Sequence, residues 1–278
     1  LDYILMSDRC RSKMKVCLPS LCVRGGREVE FKVPVYANLR ELSLHNYGED
    51  EIGYEFVKML LSDPSDLDRM TFQDKDYLLT IAVAALHMNN ISLDVKCPCG
   101  HSFKVSYALE NQEVKELEEG TPKTITKSCM GKEYSYSFLS ASEERDVAKW
   151  AMDRSSEDPS KFRELYSEAF VCKTFGFPLT AEALREVSNY NFHIYMSALL
   201  FREMCFHGVT NLVQTVCPKC GAHLNVIVPF EKSLMSWSTQ KVVSEFMRVS
   251  NFIGGFDAFL NLTISELEQM SADVEAGM

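Results

Sequence analysis

Apolar and polar positions along this chain switch between a two-residue and a roughly 3.6-residue period, so strands and helices are both expected. From Glu28 to Val35, EVEFKVPV sets Val29, Phe31, Val33 and Val35 on one side, the pattern of a half-buried strand. Tyr54–Leu61 reads as a short helix closed by SDPSD, and a longer one opens near Thr71 with Asp74 in its first turn. There Leu79, Ala82, Val83 and Leu86 recur at i, i+3, i+4 and i+7 as one stripe, and Asn89-Asn90 stops the helix. SLDVK is then a strand, and FKVSYAL a second with Phe103, Val105 and Tyr107 on one face, so the residues between them form the bend of a hairpin. EYSYSF alternates as a further strand, and amphipathic helices at Ala141–Met152 and Lys161–Phe170 flank SSEDPS.

The second half repeats this order. Thr180 is an N-cap for a helix over Ala181–Ser188, and a longer helix follows with Met196, Leu199, Leu200 and Met204 in one stripe. TNLVQTV and LNVIVPF form another hairpin, with Leu224, Val226 and Val228 on one face. Helix, strand, Cys turn, strand thus occurs twice, which reads as an internal duplication, with convergent use of a common turn as the alternative. Beyond Phe230 the pattern is helical with a break at Gly254-Gly255, and Thr263 or Ser265 caps a last helix with Glu266 and Glu268 in its first turn.

These elements describe an α+β chain of helices and short antiparallel hairpins, the hairpins bearing a zinc-ribbon-like four-cysteine site. Five segments follow: a loosely ordered basic arm over 1–27, with Arg9, Arg11, Lys13, Lys15, Arg24 and Arg27; a helix and Cys-turn hairpin over 28–110; a connector, strand and helical insertion over 111–178; a second helix and Cys-turn hairpin over 179–230; and C-terminal helices over 231–278. Glu110–Ser128 is the charged, solvated connector.

With 278 residues, 46% of them hydrophobic, the chain can bury a sizeable core. Its 29 Lys and Arg against 39 Asp and Glu leave a net charge of −10, which repels phosphate backbones and makes nucleic acid a disfavoured partner. The longest nearly continuous apolar run, Leu78–Leu86, is shorter than the roughly 20 residues that span a bilayer. Together with an N-terminus lacking a basic head and an apolar secretory core, this reads as a cytoplasmic chain without a membrane partner. Ten cysteines in such a compartment favour metal ligation over a disulfide framework.

Cys217-Pro-Lys-Cys220-Gly221 has the spacing of a metal knuckle, in which a tight turn points two thiolates inward and the glycine lets backbone amides face the sulfurs. Cys97-Pro-Cys99-Gly100 is one residue shorter, yet i and i+2 on extended backbone point the same way. A structural zinc takes four ligands and each turn supplies two, so Cys97, Cys99, Cys217 and Cys220 are expected to share one Zn2+. His101 and His223 are the substitute ligands, and reduced thiols in two buried hairpins are the metal-free alternative. A further alternative is an open metalloenzyme site from Cys217, Cys220 and a histidine.

Cys10, Cys17 and Cys22 lack knuckle spacing and read as free thiols; Cys172 and Cys205 read as core or turn residues, and Cys129 as a turn residue or spare ligand. His87, His193 and His207 have no partner at metal or catalytic spacing and read as packing or solvated residues. The sequence contains no Gly-rich phosphate loop ending in Lys-Ser/Thr, no H-E-x-x-H and no G-x-S-x-G, and its acidic clusters read as solvated faces, so no catalytic residues are expected. Trp237, Phe246, Phe252, Phe256 and Phe259 are either an interface stripe near the C-terminus or core.

DPSDLDRMTFQDKDYLLTIAVAALHMNNISLDVKCPCGHSFKVSYAL resembles the core pattern of the baseplate hub and hub-assembly proteins of T-even-like contractile-tail bacteriophages: an acidic helix start, a strand, a Cys turn and an alternating strand. KSCMGKEYSYSFLSASEERDVAKWA is similar to the next element of that family, and VCPKCGAHLNVIVPF and GGFDAFLNLTISELEQM are in keeping with it. The similarity spans about Val29–Phe230; the shortened first turn, the basic arm and the second Cys-turn unit depart from it. The resemblance implies a non-enzymatic baseplate hub subunit or chaperone-like assembly factor that binds other hub or tail proteins. It would act in the host cytoplasm during assembly or in the tail baseplate of the virion. A zinc-ribbon nucleic-acid-binding or transcription accessory protein is the competing reading.

Overall fold

The computed structural model describes residues 13–45, 47–86, 90–108, 112–129, 131–190, 192–228, 230, 234, 239–249, 255–263 and 266–267. It opens with a hairpin of β1 (Met14–Cys17) and β2 (Glu28–Phe31), antiparallel with Met14 opposite Phe31 and Cys17 opposite Glu28. Residues 13–27, expected in a loosely ordered arm, are thus built into the fold, with Val16, Leu18 and Val23 buried. Arg24 explains part of that order: its guanidinium bonds the Phe138 carbonyl and lies 2.9 Å from Glu143. The charges of the expected loosely ordered arm include one spent on an internal tie.

Val29 and Phe31 face the core as their alternation predicts, but the strand ends at Phe31. Pro34 cannot donate to a ladder, and the chain turns into helix α1 (Tyr36–Leu44), where Asn38 accepts a hydrogen bond from the Val35 amide. Helix α2 (Glu49–Leu60) begins five residues before the expected Tyr54, and the short α3 (Asp66–Arg69) leads to α4 (Phe72–Leu86). Leu79, Ala82, Val83 and Leu86 are buried as a stripe, but so are Leu78, Thr80, Ile81 and Ala84, so α4 is covered nearly all round.

Hairpin β3 (Asn90–Lys96) with β4 (Ser102–Ala108) follows. Val114–Lys115 (β5) pairs with Gly208–Val209 (β8), and β6 (Thr124–Cys129) pairs with β7 (Lys132–Ser137). The charged connector therefore contains a strand. β6 carries few apolar residues, and its hydroxyls pair across the ladder, Thr124 with Ser137 at 3.0 Å and Thr126 with Ser135 at 3.2 Å.

Four helices follow: α5 (Ala141–Ser155) and α6 (Phe162–Thr174) in the insertion, and α7 (Ala181–Ser188) and α8 (Phe192–Met204) in the second unit. Ser140 and Glu143 close a capping box at the start of α5, and Thr180 caps α7 as expected. In α8 the stripe read from sequence is only partly covered: Leu199 packs against two apolar clusters and Met196 is half-buried. Ile194, Ala198 and Phe201 face inward, while Leu200 and Met204 are exposed. Hairpin β9 (Leu212–Val216) with β10 (His223–Ile227) comes next, then α9 (Thr239–Val249) and α10 (Phe256–Leu260). Thr263 caps the residues after α10, its hydroxyl accepting from the Glu266 amide at 3.2 Å. Among the described residues no helix is long and apolar enough to cross a membrane.

The main core mixes distant stretches: Leu18, Phe31, Leu39, Phe56, Leu79, Leu93, Val213, Val228, Val242 and Phe259 belong to one apolar cluster. Tyr136, Cys172, Val187 and Phe201 form another, which Val23 from the N-terminal stretch joins. A buried polar knot links these parts. Asp74 accepts hydrogen bonds from the Ser20 amide at 3.0 Å and the Thr71 amide at 2.8 Å, and the Thr71 hydroxyl lies 2.9 Å from Asp74 and 2.7 Å from His207 Nε2. His207 Nδ1 lies 3.0 Å from the Cys205 carbonyl. Three segments thus converge on one fully buried carboxylate, whose loss would orphan the buried donors around it.

Burial pushes the His207 pKa below its ordinary value, opposed by the Asp74 charge and by the bond to the Cys205 carbonyl. The sign follows: as the pH falls through about 6.5, the unfolded chain takes up this proton before the folded one, so folding weakens toward acid. Urea midpoints at neutral and mildly acidic pH should show this decline, and His207→Asn should flatten the part of it that His207 carries. Asp74→Ala should lower stability by about 2–5 kcal/mol at neutral pH in the same measurement.

Candidate metal centre

Each Cys turn is held by its own ladder. Lys96 is opposite Ser102, so Cys97 to His101 make the first loop; Val216 is opposite His223, so Cys217 to Ala222 make the second, one residue longer. In both loops the first cysteine closes the turn at each end: Cys97 N–H donates to the His101 carbonyl at 2.9 Å and Cys217 N–H to the Ala222 carbonyl at 2.9 Å. The carbonyls of the same cysteines accept from Gly100 and Gly221, also at 2.9 Å. Those glycines have φ of 84° and 72°, the left-handed region that a side chain disfavours. The proline-containing turns are therefore fixed by backbone chemistry before any metal is considered.

The two hairpins bring all four sulfurs together. Cys97 Sγ is 3.6 Å from Cys220 Sγ, Cys99 Sγ is 3.8 Å from Cys217 Sγ, and all four lie within 4.8 Å of one another. Both short separations cross between hairpins. A tetrahedral ion held at about 2.3 Å, the zinc–thiolate bond length, sets its sulfurs about 3.8 Å apart, so the cluster fits such an ion. Cys97 and Cys217 are buried, while Cys99 and Cys220 are exposed, which gives the site one closed side and one open to solvent.

The first turn reaches this arrangement differently from the expected route. β3 ends at Lys96, and Cys97 and Cys99 lie in the bend itself, so the turn and not strand alternation aims the two sulfurs. Alternation acts one step earlier. Ile91, Leu93 and Val95 are buried in the main core, and Phe103, Val105, Tyr107, Leu224 and Val226 pack against it, so both hairpins lay their apolar faces on one surface.

The electrostatics are those of crowded thiols. Burial pushes the Cys217 thiol up, but the amides of Cys220 and Lys219 and the neighbouring thiols of Cys97 and Cys220 outweigh it and hold the group down at about 6. At Cys97 the Cys99 amide favours the thiolate, yet burial and the thiols of Cys99, Cys220 and Cys217 push the group up to about 12. Four adjacent thiolates repel, so protons must remain or a cation must replace them. Amides aimed at Cys217 Sγ are the feature a thiolate ligand needs.

His101 and His223 stay out of the cluster. The His101 ring stacks on Phe103 at 5.9 Å, and His223 is exposed at the start of β10. Cys172 is buried, with its thiol 3.4 Å from the Pro178 carbonyl, and Cys205 is half-buried, while Cys17 and Cys22 are exposed. Of the aromatic interface candidates, Phe259 is fully buried with its ring 4.5 Å from that of Tyr36 in a tilted contact, which makes it core. Phe246 and Phe256 pack around it at 5.5 and 6.0 Å, half-buried. Trp237 and Phe252 lie outside the described residues, as does His87. Sequence reasoning missed the Asp74–Thr71–His207 knot, although Thr71-x-x-Asp74 has capping-box spacing.

No family model matches this chain, and neither a curated protein nor a solved structure does.

Cobalt(II) added to the metal-free protein should give the intense charge-transfer absorption of a four-thiolate site at one ion per chain. Cys217→Ser should remove most of that signal, whereas His101→Ala and His223→Ala should leave both intensity and stoichiometry unchanged. Loss of the signal in either histidine variant would bring that ring into the ligand set.

Proposed function

We propose that this chain is a non-enzymatic baseplate protein of contractile-tail phages, a hub subunit or chaperone-like hub-assembly factor, that binds other hub or tail proteins and is stapled by one structural zinc. The observation that carries the reading is the set of four cysteine thiols drawn equally from two hairpins. Four thiolates complete a tetrahedral zinc shell, so no position remains for a reacting water or substrate. What zinc supplies at such a site is rigidity. Structural zinc contributes on the order of 10–16 kcal/mol in small peptides, as much as the roughly 5–15 kcal/mol net stability of an ordinary domain.

The phage setting rests on the resemblance of the segments from Asp63 to Leu109 and from Lys127 to Ala151, and of the second Cys turn, to hub proteins. The net charge of −10 suits a protein partner better than nucleic acid. The basic stretch near the N-terminus is the one feature that would favour nucleic acid, and Arg24 in it is occupied by Glu143 and the Phe138 carbonyl. Assembly in the host cytoplasm, with or without retention in the virion, is the corresponding location.

Two measurements test the two halves of this reading separately. Chelation should release one zinc per chain and lower the thermal midpoint in a single step, since one ion ties segments from both halves of the sequence. In a contractile-tail phage carrying this gene, an early stop codon should leave lysis intact but abolish complete baseplates in negative-stain electron micrographs. Normal tails from that mutant would overturn the assembly role while leaving the zinc site standing.

A further inference from the structure

We propose that the four-thiol cluster is a peroxide-sensitive joint: oxidation ejects its zinc and puts two disulfides in its place, Cys97 to Cys220 and Cys99 to Cys217, each still tying one hairpin to the other. This rests on the zinc reading above and adds what the site does when its ion is lost. The starting observation is that the cluster is sorted in two ways at once. Cys99 and Cys220 are exposed, whereas Cys97 and Cys217 are 2% and 1% exposed. The short separations are 3.6 Å from Cys97 to Cys220 and 3.8 Å from Cys99 to Cys217, so each joins an exposed sulfur of one hairpin to a buried sulfur of the other.

An oxidant arriving from solvent meets the exposed pair first. Metal ligation keeps each sulfur as a thiolate, the form that attacks peroxide. The Cys99 thiolate attacks one peroxide oxygen: an S–O bond forms, the O–O bond breaks, hydroxide leaves, and the sulfur gives up two electrons. The buried thiolate facing it, Cys217, then attacks the sulfenic sulfur; an S–S bond forms, the S–O bond breaks and a second hydroxide leaves. With two protons from water, one peroxide and two thiolates have become one disulfide and two waters. Only two of the four ligands then hold the ion, which is lost, and Cys220 with Cys97 repeats the sequence on a second peroxide. A resolving thiol beside each exposed one stops oxidation at the reversible disulfide, before the irreversible sulfinic stage. Pairing across the hairpins also has a consequence that pairing within a turn lacks. The two disulfides join residues 123 and 118 positions apart, so they restrain the unfolded chain and hold the two hairpins together. A bond from Cys97 to Cys99, or from Cys217 to Cys220, would leave the hairpins untied.

Hydrogen peroxide added to the zinc-loaded full chain, with a chromogenic zinc chelator present, should release one zinc per chain, and dithiothreitol followed by fresh zinc should restore binding. Trypsin reads the pairing. It cuts after Lys96, Lys104, Arg202, Lys219 and Lys232, which separates Cys217 from Cys220 while keeping Cys97 with Cys99. Once free thiols are blocked, mass spectrometry should find residues 97–104 joined to both 203–219 and 220–232 in one species. Cys99→Ser should leave 97–104 joined to 220–232 alone, and Cys220→Ser should leave it joined to 203–219 alone. The oxidised wild-type chain should melt at a higher temperature than the reduced, chelated one. An internal disulfide in 97–104 with 203–219 joined to 220–232 overturns the proposal, as do zinc retained under peroxide and sulfinic acids in place of disulfides. A chain that takes up no zinc fails earlier, at loading, which overturns the zinc reading and this proposal with it.

Discussion

The structure turns on the approach of four sulfur atoms across two hairpins that the chain makes more than a hundred residues apart. Like-charged thiolates at 3.6 to 3.8 Å do not attract one another. Their proximity is imposed by the shared apolar surface beneath both hairpins and requires protons or a cation to balance it. The backbone turns prepare for this without a metal, through the Gly100 and Gly221 conformations and the ladder bonds that close each loop. A metal bound there would lock a geometry the fold has already nearly reached. That is the logic of a staple, in contrast to an open catalytic ion.

A second constraint lies beneath the first. Asp74, at the start of the helix that leads into the first Cys hairpin, gathers donors from Ser20 and Thr71 and, through the Thr71 hydroxyl, meets His207, which precedes the second. Gly208 packs so closely on Gln73 that a Cβ there would lie 3.0 Å from the Gln73 carbonyl oxygen. The two hairpin units thus meet at two places, at the thiols of their tips and at a buried polar contact at their roots. Burial makes the polar contact costly to break.

Much of the local structure was legible. The hairpins over 90–108 and 212–227, the Thr180 cap, and the inward faces of Phe103, Val105, Leu224 and Val226 follow from alternation and capping chemistry that neighbouring residues decide among themselves. The misses share a cause. β6 has hydroxyl residues where a strand signal needs apolar ones, and its pairing with β7 became visible only once the partner was in place. The buried face of α8 was read only in part because a helix apolar on two sides gives no periodic cue to which side the core will take. Residues 13–27 read as a loosely ordered arm because nothing in their own sequence announces that Arg24 will meet Glu143.

By itself the sequence determined the two Cys turns, their spacing, the glycines that permit them and the absence of common catalytic motifs, since all of these are settled within a few residues of backbone. Only the tertiary structure decided that the turns meet, that both histidines beside them stand aside, and that Phe259 is interior. Those outcomes depend on where distant apolar faces come to rest, and burial is a property of the assembled surface that no short stretch of chain contains.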